Sequence, residues 1–380
     1  MMYQFKYADD KISDNELMIT IPSVTIGVGV LSLPSLIAED TIGSDGWIPL
    51  LGAGSLFVAL AWLIVKVASM YPNQPFISFA SLLVSKPIAT IITILLALQG
   101  IFITAFVLRI IADLAKEYLF DRTPVEVISL SFLLVVSYAV SGSRAGLFRL
   151  NMMFFPIIIF IIVFVGIFSI NWYDASNFLP AFQTDLQGYL KSTRNSLFSL
   201  TGLFVLFFYT SLVRKPDKAP KKAAYGMTMV SIFYIFIYFM CIGVFGYAGT
   251  ANVNYPIVEI AKEVEIPGGV FERFDSIFFV IWIMAVFNTV TMAFDSSLYA
   301  LKSVFNLKKI HYILFLTPVL FFVAMIPKDV IDVREFGDFV SLYGLVITTL
   351  TAIVLFIIAS VKKKVSSEEA STSKRGDSKS

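Results

Sequence analysis

The sequence contains few of the residues that usually carry catalysis or cross-linking. Its 380 residues include a single cysteine, Cys241, and a single histidine, His311. A lone cysteine excludes a disulfide framework within the chain, and no Cys/His set has the spacing of a metal site. Zinc-protease, nucleophile-elbow and phosphate-loop motifs are also missing from the sequence. We therefore predict that the protein is not an enzyme and binds no metal or other cofactor.

Charged residues are scarce as well. They make up 15% of the chain, against about a quarter in a soluble domain, while 57% of the residues are apolar. The net charge of +2 gives no support for nucleic-acid binding. Apolar runs of about 20 residues, the length that crosses a bilayer, recur along the chain. The composition predicts an all-α protein that crosses the lipid bilayer many times.

Ten apolar runs are candidates for membrane-spanning helices. They cover residues 16–38, 47–69, 88–110, 125–142, 148–170, 190–212, 225–247, 276–299, 311–326 and 338–360. The polar start of the chain lacks the basic and apolar regions of a cleaved signal, so the first run is predicted to be retained. Residues 1–15 are predicted to form an N-terminal cytoplasmic segment, and the polar residues 361–380 a disordered cytoplasmic tail.

The loop charges predict the orientation of the spans. With a cytoplasmic N-terminus, the basic clusters at 214–222 and 362–364 lie in the cytoplasm. The acidic loops at 39–45 and 259–265 then lie on the other side of the membrane. The positive-inside rule favours this arrangement, so both termini are predicted to be cytoplasmic.

Two of the ten runs are interrupted near their middle. The first contains TIGVGVLSLP at residues 25–34, and the sixth contains SLFSLTGL at residues 196–203. Glycine weakens a helix, and proline removes a backbone donor. Because each half holds five spans, an odd number, the second half is inverted relative to the first. We predict a 5+5 inverted repeat, with halves at 16–170 and 190–360 and broken first and sixth helices.

Interrupted helices at corresponding positions of two halves indicate a transporter-type binding site. A break exposes unpaired amides, which attract a carboxylate, and unpaired carbonyls, which attract an ammonium group or a cation. The alternative is that these small residues only allow close helix packing. The candidate ligand-binding residues at the two breaks are Gly27, Gly29, Leu31, Leu200, Thr201 and Gly202.

A few polar residues lie deep within other spans, where such groups usually face the bundle interior. Gln99 lies in the third span, and Asn288, Thr291 and Asp295 share one face of the eighth. We predict that Gln99, Asn288 and Thr291 complete the ligand pocket; the alternative is that they form hydrogen bonds between helices. Asp295 is predicted to be a site for a coupling ion or proton, or else a snorkelling residue near the interface.

Several short motifs occur together in a characteristic order. They are KISDNELMI before the first break, SDGWIP at 44–49, LRIIADLAKEYLFDRTPVEVI at 108–128, and the pattern G-x-x-x-G-x-x-R at 142–149. Their order and spacing resemble the endospore germination permease family, the B-type integral membrane subunits of spore germinant receptors. That family resembles a branch of the amino acid–polyamine–organocation superfamily, which implies the five-plus-five inverted repeat.

The resemblance also implies a function. The protein would lie in the spore inner membrane beside an A-type subunit and a C-type lipoprotein, bind a small germinant such as an amino acid, and trigger germination. By motif match, the two helix breaks would hold the germinant. The alternatives are an amino-acid transporter of the same fold, cation-coupled or facilitated, and a ligand-opened ion pore. Some proton-coupled members of the superfamily carry a lysine in the fifth span, which is missing from residues 150–170 here.

Overall fold

A computed structural model describes residues 11–27, 29–200, 202–264, 274–305 and 307–377. Within these ranges there are fourteen α-helices, three short 3₁₀-helices and no β-strand. The predicted site residue Thr201 and residues 1–10 of the predicted N-terminal segment lie outside them. The α-helices are α1 (Asp14–Thr25), α2 (Gly29–Ala38), α3 (Trp47–Ser69), α4 (Phe76–Leu83), α5 (Lys86–Tyr118), α6 (Val125–Ser141), α7 (Arg144–Phe168), α8 (Leu186–Ser199), α9 (Val205–Tyr209), α10 (Ala219–Ala251), α11 (Pro256–Glu263), α12 (Phe274–Phe305), α13 (Lys309–Ala324) and α14 (Val330–Asp377).

The ten predicted spans are present in this set. Among the described residues, six helices are long and apolar enough to cross a membrane: α3, α5, α7, α10, α12 and α14. The pair α1 and α2, bent by 57° at their break, forms a seventh span. The shorter apolar helices α6 and α13 are the next two. Helices α8 and α9 lie at the position of the predicted sixth span, which is interrupted because α8 ends at Ser199 and α9 begins at Val205. The protein is therefore a multi-pass membrane protein with broken first and sixth spans.

The packing of the helices reflects the relation between the two halves. Helix α10 packs along α3, α12 along α5, α13 along α6, and α8 along α2. Each of these pairs joins one span to the span five places later in the chain. Such pairing of equivalent helices is expected for two inverted halves that face each other across a pseudo-two-fold axis. The two helix breaks consequently lie next to each other in the centre of the bundle.

Contacts between loops define the two ends of the bundle. At one end, which we call the basic end, the backbone N–H of Ile12 donates to the Leu212 carbonyl, and the N–H of Arg214 donates to the Ile12 carbonyl, both at 2.9 Å. Residues 214–222, which include the first turn of α10, lie at this end together with the start of α13. The opposite end carries the residues after α2 and the start of α14, where Glu39 and Arg334 approach to 3.6 Å.

Helix α1 begins with a capping box at the basic end. The Glu16 backbone N–H donates to Ser13 Oγ at 3.1 Å, and the Ser13 N–H donates to Glu16 Oε2 at 2.6 Å. These two bonds satisfy amide groups that have no partner within the helix. The SDNE letters of the KISDNELMI motif therefore specify where the first span starts.

At the opposite end, Asp45 anchors the loop that precedes α8. Its carboxylate accepts hydrogen bonds from the backbone N–H groups of Phe182, Gln183 and Thr184 at 2.6–2.9 Å. The hydroxyls of Thr184 and Tyr189 also donate to it, at 2.8 and 3.1 Å. Burial raises the pKa of Asp45, but these hydrogen bonds outweigh burial and leave the pKa below its ordinary value of 3.8.

Helix α10 contains a kink at Gly246, where φ is +66°. The kink releases the Gly243 carbonyl, which accepts hydrogen bonds from the Asp174 N–H and from Asn177 Nδ2, both at 3.0 Å. Residues with a side chain rarely adopt this backbone conformation, so the kink favours glycine. The loop between the two halves is thereby fixed to the seventh span.

The helices differ from the predicted spans mainly in length. Helices α5 and α10 have 33 residues each, because their polar ends continue beyond the apolar runs. The short helices α4 and α11 had no counterpart among the predicted spans. Helix α14 continues to Asp377, through the segment for which the sequence predicts disorder. Serine and lysine predominate after residue 361, and no proline interrupts them, so the helix can continue.

Candidate ligand-binding site

Both breaks leave backbone groups without helical partners in the centre of the bundle. Helix α1 ends at Thr25, and α2 begins at Gly29. Helix α8 ends at Ser199, and α9 resumes at Val205. The first amides of α2 and the last carbonyls of α8 have no partner within their own helices. The positive end of one helix dipole and the negative end of another therefore meet in the same region.

Hydroxyl groups from neighbouring spans stabilise the end of α1. Thr289 Oγ1 of α12 donates to the Val24 carbonyl at 2.9 Å, and the Tyr234 hydroxyl of α10 donates to the Thr25 carbonyl at 3.3 Å. A Cβ atom added to Gly27 would lie 2.5 Å from Thr289 Oγ1. The break is therefore packed so closely against α12 that position 27 has no room for a side chain.

The start of α2, on the other side of the first break, is equally crowded. A Cβ atom added to Gly29 would lie 2.7 Å from the Tyr234 hydroxyl and 3.2 Å from the Ser199 carbonyl. Gly202 has more room, since its nearest neighbours would be Val24 Cγ1 at 3.3 Å and Thr25 Oγ1 at 3.5 Å. Small residues thus serve packing at Gly27 and Gly29, while a side chain at Gly202 would meet a less severe contact, with Val24.

A cavity of about 370 Å³ lies over the two breaks, within the range of small-molecule sites. Its floor combines backbone and hydroxyl groups of α1, α2, α8 and α12, and its outer part lies next to Glu39 and Arg334 at the end opposite the basic end. The lining includes Val24, Thr25, Gly27, Gly29, Ser32, Ser35, Asn195, Ser199, Gly202 and Thr289, with Ile103, Phe106, Val107 and Ile110 from α5 and Val333, Gly337, Val340 and Ser341 from α14.

Three of the predicted site residues, Gly27, Gly29 and Gly202, line this cavity. Leu31 and Leu200 are buried in the surrounding core instead. The predicted residue Thr201 lies outside the described residues. The cavity therefore contains the glycines of both breaks but not the neighbouring leucine side chains.

The polar residues predicted from the third and eighth spans lie elsewhere. Gln99 is buried, and its Oε1 accepts a hydrogen bond from Thr348 Oγ1 of α14 at 3.0 Å. Thr291 donates to the Phe287 carbonyl of its own helix at 2.8 Å, and Asn288 is buried away from the cavity lining. For Gln99, the geometry matches the alternative of a hydrogen bond between helices.

The sequence did not indicate that Thr289 and residues of α14 line the cavity. Thr289 does not share the helix face of Asn288, Thr291 and Asp295 from which the pocket was predicted, yet it faces the first break. Helical spacing shows which residues share a face but not which neighbour that face contacts. On α14, the lining residues Val333, Gly337 and Val340 resemble ordinary apolar helix residues and give no polar signal. Ser199, by contrast, belongs to the interrupted stretch that the sequence did indicate.

Asp295 occupies a charge cluster near the basic end. Its side chain is fully buried, and Arg144 Nε and Lys309 Nζ approach its two carboxylate oxygens at 2.8 and 3.0 Å. The Tyr209 hydroxyl, at the end of α9, donates to the carboxylate at 3.0 Å. The guanidinium of Arg144 also lies 4.1 Å from the centre of the Tyr299 ring.

This environment decides between the interpretations of Asp295. A snorkelling residue extends its polar end to water, so that interpretation is wrong for a fully buried carboxylate. With a protein cation at each oxygen, the geometry favours an ion cluster between helices over a cation site. The cluster joins α7, α12 and α13 to the end of α9, whose other end borders the second helix break.

A second cleft of about 890 Å³ lies between the C-terminal end of α5 and the start of α14. It is larger than the central cavity but open, and charged side chains such as Arg109, Lys116, Glu117 and Arg122 surround it. It contains neither helix break, so it lacks the oriented backbone groups of the central cavity. Among the described residues, no group of three or more His, Cys, Asp and Glu side chains is placed to hold a metal ion.

Comparison with known proteins gives consistent results. Residues 11–333 match the family model described as spore germination protein. The spore germination protein GerLB of Bacillus cereus is 37% identical over 96% of this chain and 98% of its own length. The spore germination protein YndE of Bacillus subtilis (strain 168) is 28% identical over 93% of this chain and 98% of its own length. Spore germination protein B2 of the same strain is 26% identical over 94% of this chain and 98% of its own length.

A solved structure shares the fold. The crystal structure of MhsT in complex with L-phenylalanine superposes with a TM-score of 0.67, covering 91% of this chain and 97% of that one. The two sequences are 14% identical, so the likeness concerns the arrangement of the helices.

Proposed function

This chain belongs to the spore germination protein family, and we propose that it is the membrane subunit of a spore germinant receptor. In this proposal it binds a small germinant, an amino acid, in the cavity at the two helix breaks and thereby triggers germination. The observation that carries the proposal is the meeting of opposite helix ends at one cavity. The lining of that cavity includes Gly27 and Gly29 of the first break and Ser199 and Gly202 of the second.

An amino acid matches the charges of this cavity. The first amides of α2, which have no partner within their own helix, can donate hydrogen bonds to a carboxylate, which the positive end of the helix dipole also attracts. The last carbonyls of α8, which have no partner within their own helix, can accept hydrogen bonds from an ammonium group. Hydroxyls of Thr25, Ser199 and Thr289 provide further polar partners. MhsT, which shares the fold, was solved in complex with L-phenylalanine, and this supports an amino acid as the ligand class.

The proposal includes a location and partners. The basic end, which carries Arg214, Lys215, Lys218, Lys221 and Lys222 just before and within the first turn of α10, would face the cytoplasm under the positive-inside rule. The cavity would then open away from the cytoplasm, toward the incoming germinant. We further propose that the chain lies in the spore inner membrane, beside an A-type subunit and a C-type lipoprotein; its membership of the spore germination protein family supports this.

The alternative function is amino-acid transport through the same cavity. The observation in its favour is the fold itself, because two inverted halves with broken first and sixth helices can alternate access to a central site. A sensor and a transporter need the same binding site. They differ in whether the bound ligand is released on the other side of the membrane.

Binding and accumulation, measured together, separate these functions. The full-length chain would be reconstituted in proteoliposomes, with and without its A-type and C-type partners, and exposed to a panel of labelled amino acids. We expect saturable binding without accumulation inside the vesicles. Accumulation that collapses with an ion gradient would establish the transporter instead. No saturable binding in either preparation would overturn both.

Substitutions test the position of the site. Gly27→Leu and Gly202→Leu place a bulky side chain at the two breaks, so we expect membrane insertion to survive and the binding and germination responses to be lost. Gly52→Leu is the matched control, because an added Cβ at Gly52 has no neighbour within 4 Å. Normal responses in both break variants would place the pocket elsewhere.

A further inference from the structure

The cavity has two chemically different sides. The helix breaks present backbone groups and the hydroxyls of Thr25, Ser199 and Thr289. The facing side is formed by α5 and α14. Its lining on α5 is apolar, with Ile103, Phe106, Val107 and Ile110, and on α14 the buried lining residues are Val333, Gly337 and Val340. The half-buried Ser341 is the uncharged polar lining residue of α14, whose charged lining residues Arg334 and Asp338 are exposed. A ligand that fills this space therefore needs a polar end and an apolar body.

Phe106 is the largest of these apolar residues, and its position depends on Gly337. A Cβ atom added to Gly337 would lie 2.7 Å from two ring atoms of Phe106, so the ring rests directly against the glycine. Phe336 packs edge-on against the same ring, with the ring centres 6.1 Å apart. A side chain at position 337 would therefore move the Phe106 ring out of this position, and because both residues line the cavity, its shape would change.

Charged side chains of the lining are confined to its outer part. Glu39 and Arg334 have 43% and 65% of their side chains exposed and lie 3.6 Å from each other, and Asp338 is also exposed. In contrast, Val333, Gly337 and Val340 are buried. Among the described residues, the deep part of the lining thus offers no counter-charge to a ligand side chain. Burying a charge there without a partner would be costly.

We infer that the wall formed by α5 and α14 selects ligands with an uncharged, apolar side chain, and that Gly337 sets the permitted size through Phe106. This inference rests on the proposed function, because it concerns the ligand of the same cavity. The carboxylate and ammonium groups of an amino acid would meet the helix breaks. Its side chain would meet Phe106, Val107 and Val333. Selectivity would then come from α14 as well as from the broken helices.

Equilibrium binding to the reconstituted full-length chain tests the inference. The probes are labelled L-alanine, L-valine, L-leucine, L-phenylalanine, L-aspartate and L-lysine. We expect at least one apolar amino acid to bind about 100-fold more tightly than aspartate or lysine, because a charged side chain finds no partner in the deep lining. Equal binding of charged and apolar amino acids would overturn the inference.

Two variants test the role of the wall. Gly337→Ala should displace the Phe106 ring, change the shape of the cavity and weaken the largest ligand that binds by about 10-fold or more relative to the smallest. Phe106→Ala should shift the preference in the opposite direction. Gly344→Ala is the matched control: its added Cβ would lie 2.7 Å from Gln99 Nε2, an equally tight contact between α14 and α5 outside the cavity lining.

The outcomes are distinguishable. Size selectivity that changes with Gly337→Ala but not with Gly344→Ala supports the inference. Unchanged selectivity in both folded variants, or the same change in both, overturns it. If the wild-type chain binds no amino acid of the full panel saturably, with or without its A-type and C-type partners, the proposed function fails, and the inference fails with it. Folding of each variant is checked by protection of the buried thiol of Cys241.

Discussion

Replacing Asp295 by asparagine should be the most damaging single change in the basic half of the bundle. The substitution preserves the size of the side chain but removes its negative charge. Arg144 and Lys309, which lie 2.8 and 3.0 Å from the carboxylate oxygens, would then face each other without a counter-charge. The Tyr209 hydroxyl would also lose its hydrogen bond to a charged acceptor.

The geometry sets the magnitude of this effect. Removing one partner of a buried ion pair costs about 3–5 kcal/mol of folding free energy. The side chains of Arg144 and Lys309 are 20% and 23% exposed, so both cations retain some contact with the surroundings. We therefore take the lower value, about 3 kcal/mol, which corresponds to roughly a 100-fold change in an equilibrium constant. Lys309→Met should cost less, because one cation still balances the carboxylate.

The single cysteine provides the assay. Cys241 is fully buried in α10 and becomes accessible only when the bundle opens. The rate at which a thiol reagent modifies it, measured in detergent at a fixed temperature, then reports the opening equilibrium. We expect this rate to rise roughly 100-fold in Asp295→Asn. The exposed carboxylate of Asp121 supplies the control variant Asp121→Asn, whose rate should match that of the wild type.

The result that would refute this reasoning is a modification rate of Asp295→Asn within about two-fold of the wild type. It would mean that the ion pairs of Asp295 with Arg144 and Lys309 contribute little to stability, as ion pairs in water-exposed surroundings do. An equal effect of Lys309→Met and Asp295→Asn would contradict the charge argument in a different way, since the first variant leaves a balanced pair.

Three further predictions concern the loops and the kink. Asp45→Asn should lower the free energy of unfolding at pH 7 by about 2 kcal/mol, because it removes charge-assisted hydrogen bonds. Since the pKa of Asp45 is lowered, its contribution is present above the ordinary value of 3.8 and is lost as the pH falls through the folded-state pKa, so thermal unfolding of the variant should vary less between pH 7 and pH 3. Gly246→Ala should destabilise the protein by about 1–3 kcal/mol in the same measurement, because φ there is +66°. Ile12→Pro removes the N–H that donates to the Leu212 carbonyl, so amide hydrogen exchange at Arg214 should accelerate several-fold while exchange in α12 stays unchanged.

The sequence was sufficient to predict the spans and their breaks, because both depend on local properties. An apolar run of about 20 residues forms a transmembrane helix whatever surrounds it. Glycine and proline at residues 25–34 interrupt a helix for reasons internal to the backbone. The inverted repeat then follows from the odd number of spans in each half. The predicted bounds of the third and seventh spans were too short, because polar residues extend α5 and α10 beyond the apolar runs.

The site could be predicted only in part, because its remaining residues depend on packing between distant segments. Asn288 and Thr289 are adjacent in α12, and only the rotation of that helix against α1 determines that Thr289 faces the break. Asp295 and Arg144 are 151 residues apart, so the sequence cannot indicate that they pair. Gly337 acts through its contact with Phe106, a contact that neither residue reveals in the sequence.

The central claim is that the germinant occupies the cavity at the two helix breaks. The most direct test is ligand protection of a cysteine introduced at Ser199, which lines that cavity, with the buried Cys241 left in place. We predict that a germinant amino acid at saturating concentration slows the modification of Ser199→Cys at least about 10-fold and leaves the control Gly52→Cys, at an exposed position outside the cavity, unchanged. If the same ligand binds saturably but does not slow modification of Ser199→Cys, it occupies another site and the account is contradicted.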